Sequence, residues 1–450
     1  MARDESATQR PAEPTASPRG RLFGGLFDWG ARARRRDPAA LARALLSERG
    51  EAAGAALATE LLDAYAALPA ARRLEFLRTL ARDFGAERER LQRALQRYGA
   101  EPSPRTEQAL HAAAEPQRQE LIRRLNRAPG GTARLLAMRE DVLRALDQEA
   151  DLAVLDADFR HLFGSWFNPG FLELKRIDWH TPALILEKLI RYEAVHEITS
   201  WDDLRRRIDP PDRRCFAFFH PVLADEPLIF VEVALTRDMP ATIAPLLAAE
   251  REPLAARAAT TAVFYSISNC QLGLRGVPLG NFLIKQVVEK LKRELPNLRQ
   301  FVTLSPVPEF RPWLERLRRD ERSELLSPQH RDALQALDRD GWQRDAAAAR
   351  KLRPLLTALV AEYLVRTREG GRVPDPVARF HLNNGARLER INWMGDPSAK
   401  GIAQAAGFMV NYLYDLRQIE QNHERFVKAA EVVASRAVER LLMKQKNALR

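Results

Sequence analysis

A chain of 450 residues is longer than one hydrophobic core usually organises, so two domains are expected. With 46% hydrophobic and 29% charged residues the composition is that of an ordinary globular protein, and no apolar run reaches the roughly 18 residues a membrane helix needs, so no membrane partner is expected. The formal net charge of +11 favours anionic ligands, but the basic residues are scattered along helical segments without aromatic interleaving, so nucleic acid is not an expected partner either.

Residues 1–37 read as a disordered or extended N-terminus, rich in Pro, Ser, Thr and charge. The cluster Arg32, Arg34, Arg35 and Arg36 reads as a solvated face. Asp4, Glu5 and Glu13 count against an organelle transit peptide, and Asn447-Ala448-Leu449-Arg450 is not a peroxisomal address. Cys215 and Cys270 sit in apolar surroundings without CxxC spacing, which fits a reducing compartment; the expected location is cytoplasmic.

Residues 38–205 are predicted to form a helical domain, including a linker from Phe167 onward. Leu41, Leu45 and Leu46, then Leu61, Leu62, Tyr65 and Leu68, then Phe76, Leu80 and Phe84 recur at helical spacing, as do Leu121, Leu125, Leu135, Leu136, Val142 and Leu143. Pro102, Pro104 and Pro129-Gly130-Gly131 break the pattern. No acid or histidine in this bundle has a partner at catalytic spacing.

Residues 206–450 change texture. Cys215–His220 and Leu228–Leu235 are β-rich runs separated by a turn, followed by a strand over Thr260–Ser268, a helix over Gly280–Leu295 and a strand over Arg299–Ser305. Residues 310–370 read as a helical insertion, Pro374–Leu416 as a final α/β portion, and Ile419–Leu442 as a charged amphipathic helix. The fold class is therefore an N-terminal helical bundle followed by a mixed α/β domain.

Between the third strand and its helix lies Gln271-Leu-Gly-Leu-Arg-Gly-Val-Pro-Leu-Gly-Asn281. Glycines permit close backbone approach, a helix N-terminus attracts phosphate, and Lys285 lies one turn further in. The spacing is neither a Rossmann fingerprint nor a Walker loop. Taken alone, the turn is as readily a plain corner as a phosphate cradle. In its setting it resembles the acetyl-CoA-binding turn of the GNAT superfamily, with Pro278 replacing the middle glycine and removing one N–H donor. That resemblance implies a GNAT-like acyl-CoA-binding domain. The coenzyme A pyrophosphate would lie at Gln271, Gly273, Arg275, Gly276, Val277, Leu279, Gly280 and Asn281, between strands that splay apart.

Further stretches narrow the superfamily. Cys215-Phe-Ala-Phe-Phe-His-Pro221, Glu226–Thr236, Thr261–Ser268, Leu304-Ser-Pro-Val-Pro308, Phe380-His-Leu-Asn-Asn-Gly-Ala386, Arg390-Ile-Asn-Trp-Met394 and Asn411-Tyr-Leu-Tyr414 together resemble the malonyl-CoA decarboxylase family over residues 165–416. The resemblance implies a carboxy-lyase acting on malonyl-CoA, with Ser305 and His381 as its catalytic pair and Tyr414 in the same pocket. It also implies no metal or biotin, and a homo-oligomer, either dimer or tetramer. The chemistry fits these residue types: loss of CO2 leaves a thioester enolate that needs hydrogen-bond donors and a proton, and a histidine titrating near neutral pH can supply that proton. Read from spacing alone, Ser305 more readily ends a strand and His381 more readily serves as a core histidine, and only the motif resemblance reverses that; His220 reads as structural. Asn383, Asn384 and Asn392 are candidate pocket donors, while Trp179 and Trp393 read as packing. Two rival functions fit the same domain: a GNAT-type acyltransferase, or a non-catalytic acyl-CoA-binding regulator.

Overall fold

The computed structural model of the chain describes residues 37–48, 50–277 and 283–443, and it divides into two compact units at Phe163/Gly164. The N-terminal extension expected over residues 1–37, with its arginine cluster, falls outside the described residues except for Asp37.

The first unit is helical: α1 (Pro38–Ser47), α2 (Glu51–Ala66), α3 (Ala70–Asp83), α4 (Arg88–Ala100), α5 (Pro104–Ala114), α6 (Gln117–Leu125), α7 (Gly131–Ala145) and α8 (Ala153–Trp166), which runs across the division. Local chemistry sets the boundaries. Asp37 caps α1 by accepting the Ala39 N–H, with Pro38 in the first turn where no N–H is needed. Ser103 and Thr106 form a reciprocal capping box on α5. Gly130 takes φ 66° ahead of α7, and a side chain on Gly131 would collide with the Leu125 carbonyl. The apolar stripe positions Leu45, Leu61, Phe76, Leu80, Leu121, Leu135 and Val142 are all buried. Each such side chain contributes about 1.5–3 kcal/mol on leaving water. Two ion pairs are sequestered among them, Arg118–Asp158 and Arg139–Asp156.

In the second unit, β1 (Glu173–Ile177), α9 (Ala183–Tyr192) and α10 (Trp201–Ile208) precede β2 (Arg213–Phe219) and β3 (Ile229–Thr236). Next come α11 (Ala244–Leu247), β4 (Thr261–Asn269), α12 (Leu283–Glu294), β5 (Gln300–Thr303) and β6 (Ser305–Pro306). Helices α13 (Phe310–Arg319), α14 (Pro328–Leu334) and α15 (Ala346–Val365) make up the helical insertion. After them run α16 (Pro376–Asn383), β7 (Arg387–Asn392), α17 (Ala399–Ala405), β8 (Met409–Leu413), α18 (Ile419–Ala429) and α19 (Arg436–Glu439). The strands form one sheet ordered β1-β2-β3-β4-β5-β8-β6, with β7 also on β8. This is the mixed α/β architecture expected from the sequence.

Two expectations change. Residues 164–205 are not a linker belonging to the helical domain: β1 pairs antiparallel with β2 over Glu173–Ile177, and α9 and α10 lay Ile185, Leu186, Leu189 and Leu204 on the same core as Cys215, Ala217 and Phe230. Five residues of β1 carry too little alternation to stand out from helical neighbours. The C-terminal stretch is two helices, because Ala430 takes φ 50° and ends α18; the chain then crosses to pair Leu388 with Ala434.

The strand geometry opens the site. β4 and β5 are parallel and paired only from Thr261↔Gln300 to Phe264↔Thr303, with a last bond from the Leu304 N–H to the Phe264 carbonyl. Beyond it β4 continues to Asn269 against β3, whereas the other chain follows β8 as Ser305↔Val410. A bulge adds Tyr265 to β4 opposite Glu232/Val233, which increases local twist at the divergence.

Candidate active site

The gap between the diverging strands holds a cavity of about 210 Å³. Phe264, Tyr265, Ile267 and Asn269 line it from β4, Ser305 and Pro306 from β6, and Pro376, Val377, Phe380 and His381 from α16; Val195 closes it from the loop after α9.

Helix α16 brings His381 in. Asp375 caps it, one oxygen accepting the Ala378 N–H at 2.9 Å and the other the Glu309 N–H at 3.4 Å, and Pro376 occupies the first turn. At the far end Gly385, at φ 77°, packs so closely on Ile419 that a Cβ would lie 2.1 Å from its carbonyl oxygen. Helix α16 is thus fixed at both ends.

Three residues distant in sequence meet in series. Ser305 Oγ lies 3.0 Å from His381 Nε2, and His381 Nδ1 lies 2.8 Å from the Tyr414 hydroxyl. Ser305 Oγ also donates to Thr303 Oγ1 at 2.8 Å. The imidazole is 2% exposed and stacks on Tyr412 at 4.7 Å between centroids. Burial pushes its pKa down to about 3, since no carboxylate accompanies it, and burial raises the Tyr414 phenol well above its usual range. The imidazole is therefore neutral at physiological pH. This corrects the expectation of a histidine titrating near neutrality: the motif gave the residue, but burial set its charge. A hydroxyl, an imidazole and a phenol in series, beside a mainly apolar cavity, can hold an anionic group and pass a proton toward it.

Other candidates are placed elsewhere. The Asn383 carbonyl faces His423 Nδ1, the Asn384 amide donates to the Phe380 carbonyl, and the Asn392 amide donates to Asn411; none of the three lines the cavity. His220 caps a short turn at the Val222 N–H and packs on Phe167. Trp393 packs on Trp342 and Phe408, as expected, whereas Trp179 is partly exposed against Trp201. In the glycine-rich turn, Gln271 donates to Glu226 and to the Pro227 carbonyl, Gly276 takes φ 73°, and Gly273 and Val277 are buried. Leu279, Gly280 and Asn281, with Pro278, lie outside the described residues. Lys285, in the first turn of α12, pairs with Glu420 at 2.8 Å.

Sequence reading missed Thr303, Asn411 and the Val195 loop. Thr303 Oγ1 accepts the Tyr412 N–H at 3.1 Å, and the Thr303 carbonyl accepts from Asn411 Nδ2 at 2.7 Å. Thr303 and Asn411 stand inside or beside the recognised motifs, but nothing in their spacing shows that they face one another across β5 and β8.

The family model described as malonyl-CoA decarboxylase C-terminal domain matches residues 170–450, and the one described as malonyl-CoA decarboxylase N-terminal domain matches residues 84–167. The chain belongs to the malonyl-CoA decarboxylase family. That places it among the carboxy-lyases, and the break between the two family models falls close to the structural division at 163/164. The crystal structure of malonyl-CoA decarboxylase from Rhodopseudomonas palustris superposes with a TM-score of 0.88 at 56% identity, covering 91% of this chain and 99% of that one. The corresponding structure from Agrobacterium vitis gives 0.87 at 55% identity, covering 91% and 100%. The mitochondrial malonyl-CoA decarboxylase of Anser anser anser is 36% identical over 399 residues, 82% of this chain and 79% of that protein.

Proposed function

We propose that the chain converts malonyl-CoA to acetyl-CoA and CO2 in the cavity between β4 and β6. The observation that carries this reading is the Ser305–His381–Tyr414 series facing the gap where an acyl thioester would enter. Ser305 hydrogen-bonds the malonyl carboxylate and holds it out of the thioester plane, where the breaking C–C bond overlaps the carbonyl π system. The electron pair of that bond becomes the enolate, CO2 leaves, and His381 delivers the Nε2 proton to the α-carbon. Tyr414 lends a proton to Nδ1; after the products leave, a solvent proton entering through the cavity restores Nε2–H and Nδ1 returns its proton to the Tyr414 oxygen. A neutral imidazole suffices as the acid because an enolate carbon is a far stronger base than the imidazole–phenol pair behind it. The mainly apolar walls favour the step further, because a poorly solvated carboxylate departs as neutral CO2.

Coenzyme A is assigned to Gln271, Gly273, Arg275, Gly276 and Val277 at the end of β4, extended by Leu279, Gly280 and Asn281. The same proposal includes catalysis without metal or biotin, since the thioester is itself the electron sink. Among the described residues, no group of three or more His, Cys, Asp or Glu side chains could hold a metal ion. It also includes a homo-oligomer and a cytoplasmic location; the latter is in keeping with two buried free thiols, and no described helix is long and apolar enough to cross a membrane.

The test follows CO2 and acetyl-CoA formed from malonyl-CoA in EDTA. Wild-type enzyme should turn over, and Ser305→Ala should lose about 100-fold in kcat, the scale of one donor aimed at a developing or held charge. Full activity in Ser305→Ala would remove Ser305 from the site. Thiol release only with an added amine would make the chain an acyltransferase, and malonyl-CoA bound but unchanged would make it a regulator.

A further inference from the structure

We infer that Thr303, which does not line the cavity, is the positioning residue that fixes the direction of the proton along the Ser305–His381–Tyr414 series. This rests on the roles proposed above for Ser305 and His381 and goes beyond them by assigning the tautomer.

The argument follows from donor counting. Thr303 Oγ1 receives the backbone N–H of Tyr412 at 3.1 Å, a donor that cannot reverse, and receives the Ser305 hydroxyl at 2.8 Å. A serine hydroxyl has one hydrogen. In the free site that hydrogen is directed to Thr303, so Ser305 Oγ can only accept from His381 Nε2, 3.0 Å away; when the malonyl carboxylate enters, the hydrogen turns to it and Oγ still accepts from Nε2. Nε2 therefore carries the N–H. A neutral imidazole has one such hydrogen, so Nδ1 is bare and accepts the Tyr414 O–H at 2.8 Å. The proton thus sits on the nitrogen beside the cavity, with a second one queued behind it.

Thr303 is itself held in place. It lies fully buried at the break between β5 and β6, where side chains bridge to β8. Its carbonyl takes Asn411 Nδ2 at 2.7 Å; the same amide donates to the Pro240 carbonyl, and its oxygen accepts from Asn392 and Arg390. Every hydrogen-bonding position of the Asn411 side chain is filled, so this amide cannot flip without loss. If Thr303 could not accept, the nearest acceptor for the Ser305 hydrogen would be Nε2. The imidazole would then carry its hydrogen on Nδ1, donated to Tyr414, and the cavity would face a bare nitrogen.

The test uses full-length enzyme with ¹⁵N-labelled histidine, the His381 signals being assigned by their loss in His381→Asn. Wild type should show Nε2 protonated and Nδ1 bare. Thr303→Val removes the acceptor, and Thr303→Cys retains a small side chain with a weak one, which provides a reading if the valine variant does not fold. Both should populate the Nδ1–H tautomer and lose about 10- to 100-fold in kcat with KM within about twofold, as for a group acting only in the chemical step. Thr303→Ser should restore the wild-type spectrum and keep kcat within about threefold. A wild-type Nδ1–H signal, or valine and cysteine variants with unchanged tautomer and kcat, would overturn the inference. If Ser305→Ala and His381→Ala are inactive in that case, the catalytic reading stands without it. If those two variants keep full activity, the catalytic reading falls, and the spectra still decide the tautomer.

Discussion

His381→Ala is expected to lower kcat on malonyl-CoA by about a thousandfold, in the range that a positioned acid contributes, while coenzyme A still binds. The loss falls on kcat because the imidazole serves the transition state, and the glycine-rich turn assigned to the pyrophosphate belongs to a different segment. Tyr414→Phe should give a smaller loss, about tenfold, because it leaves Nε2–H in place and removes only the proton behind it. The pH profile separates this site from one with an ordinary histidine. Folded His381 titrates at about 3 rather than 6.5, so it is neutral throughout pH 5–9, and kcat/KM should show no histidine limb near 6.5. Activity should fall only as pH drops toward 3, when Nδ1 becomes protonated and ceases to accept from Tyr414. The linkage to stability has the same sign: the depressed pKa leaves stability intact above pH 6.5 and removes it as pH falls toward 3, because the unfolded chain binds a proton that the folded site refuses. A limb between pH 6 and 7 that disappears in His381→Ala would show that the imidazole works as a cation and would end the relay.

Arg207→Ala should cost about 3–5 kcal/mol in chemical denaturation, because it removes several hydrogen bonds from a charged donor, each worth about 1.5–3 kcal/mol, and leaves buried acceptors without a partner. Arg207 is buried on α10 and donates to the carbonyls of His196 and Glu197 at 2.7 and 2.8 Å, to Asp203, and to Glu232 at 3.4 Å. Glu232 is fully buried; burial, and then the neighbouring Glu193, push its carboxyl up to about 8. Glu193 in turn accepts from Ser266 and Ser268 on β4 and from the N–H groups of Val195 and His196. These bonds tie the loop over residues 193–199 to the sheet and hold Val195 against the cavity. The variant should therefore raise KM as well as lose stability. Arg207→Leu combined with Glu232→Leu should recover part of the loss, because no buried carboxyl is then left without its donor. A cost below about 1 kcal/mol for Arg207→Ala would mean that the cluster is solvated and does not brace the wall.

The helices of the first unit were legible because their apolar spacing and caps are local properties. Leu61, Phe76 and Leu135 point inward for the reason their spacing gives, and Ser103 and Pro104 begin a helix by chemistry confined to one turn. The order of strand, glycine-rich turn and helix was likewise carried by short segments, and Ser305, His381 and Tyr414 were carried by short motifs. Only tertiary structure decided how those three residues meet: 76 positions separate Ser305 from His381, and a further 33 separate His381 from Tyr414. It also moved residues 164–205 into the α/β unit, since a five-residue edge strand declares itself only through its partner. The charge of His381 was invisible for the same reason, because a pKa depends on what surrounds the ring and no motif prints its solvent. Thr303 and Asn411 show the limit most plainly. Each is an ordinary polar residue in a strand, and its role arises only when β5 and β8 bring the hydroxyl and the amide together and leave no water to replace them.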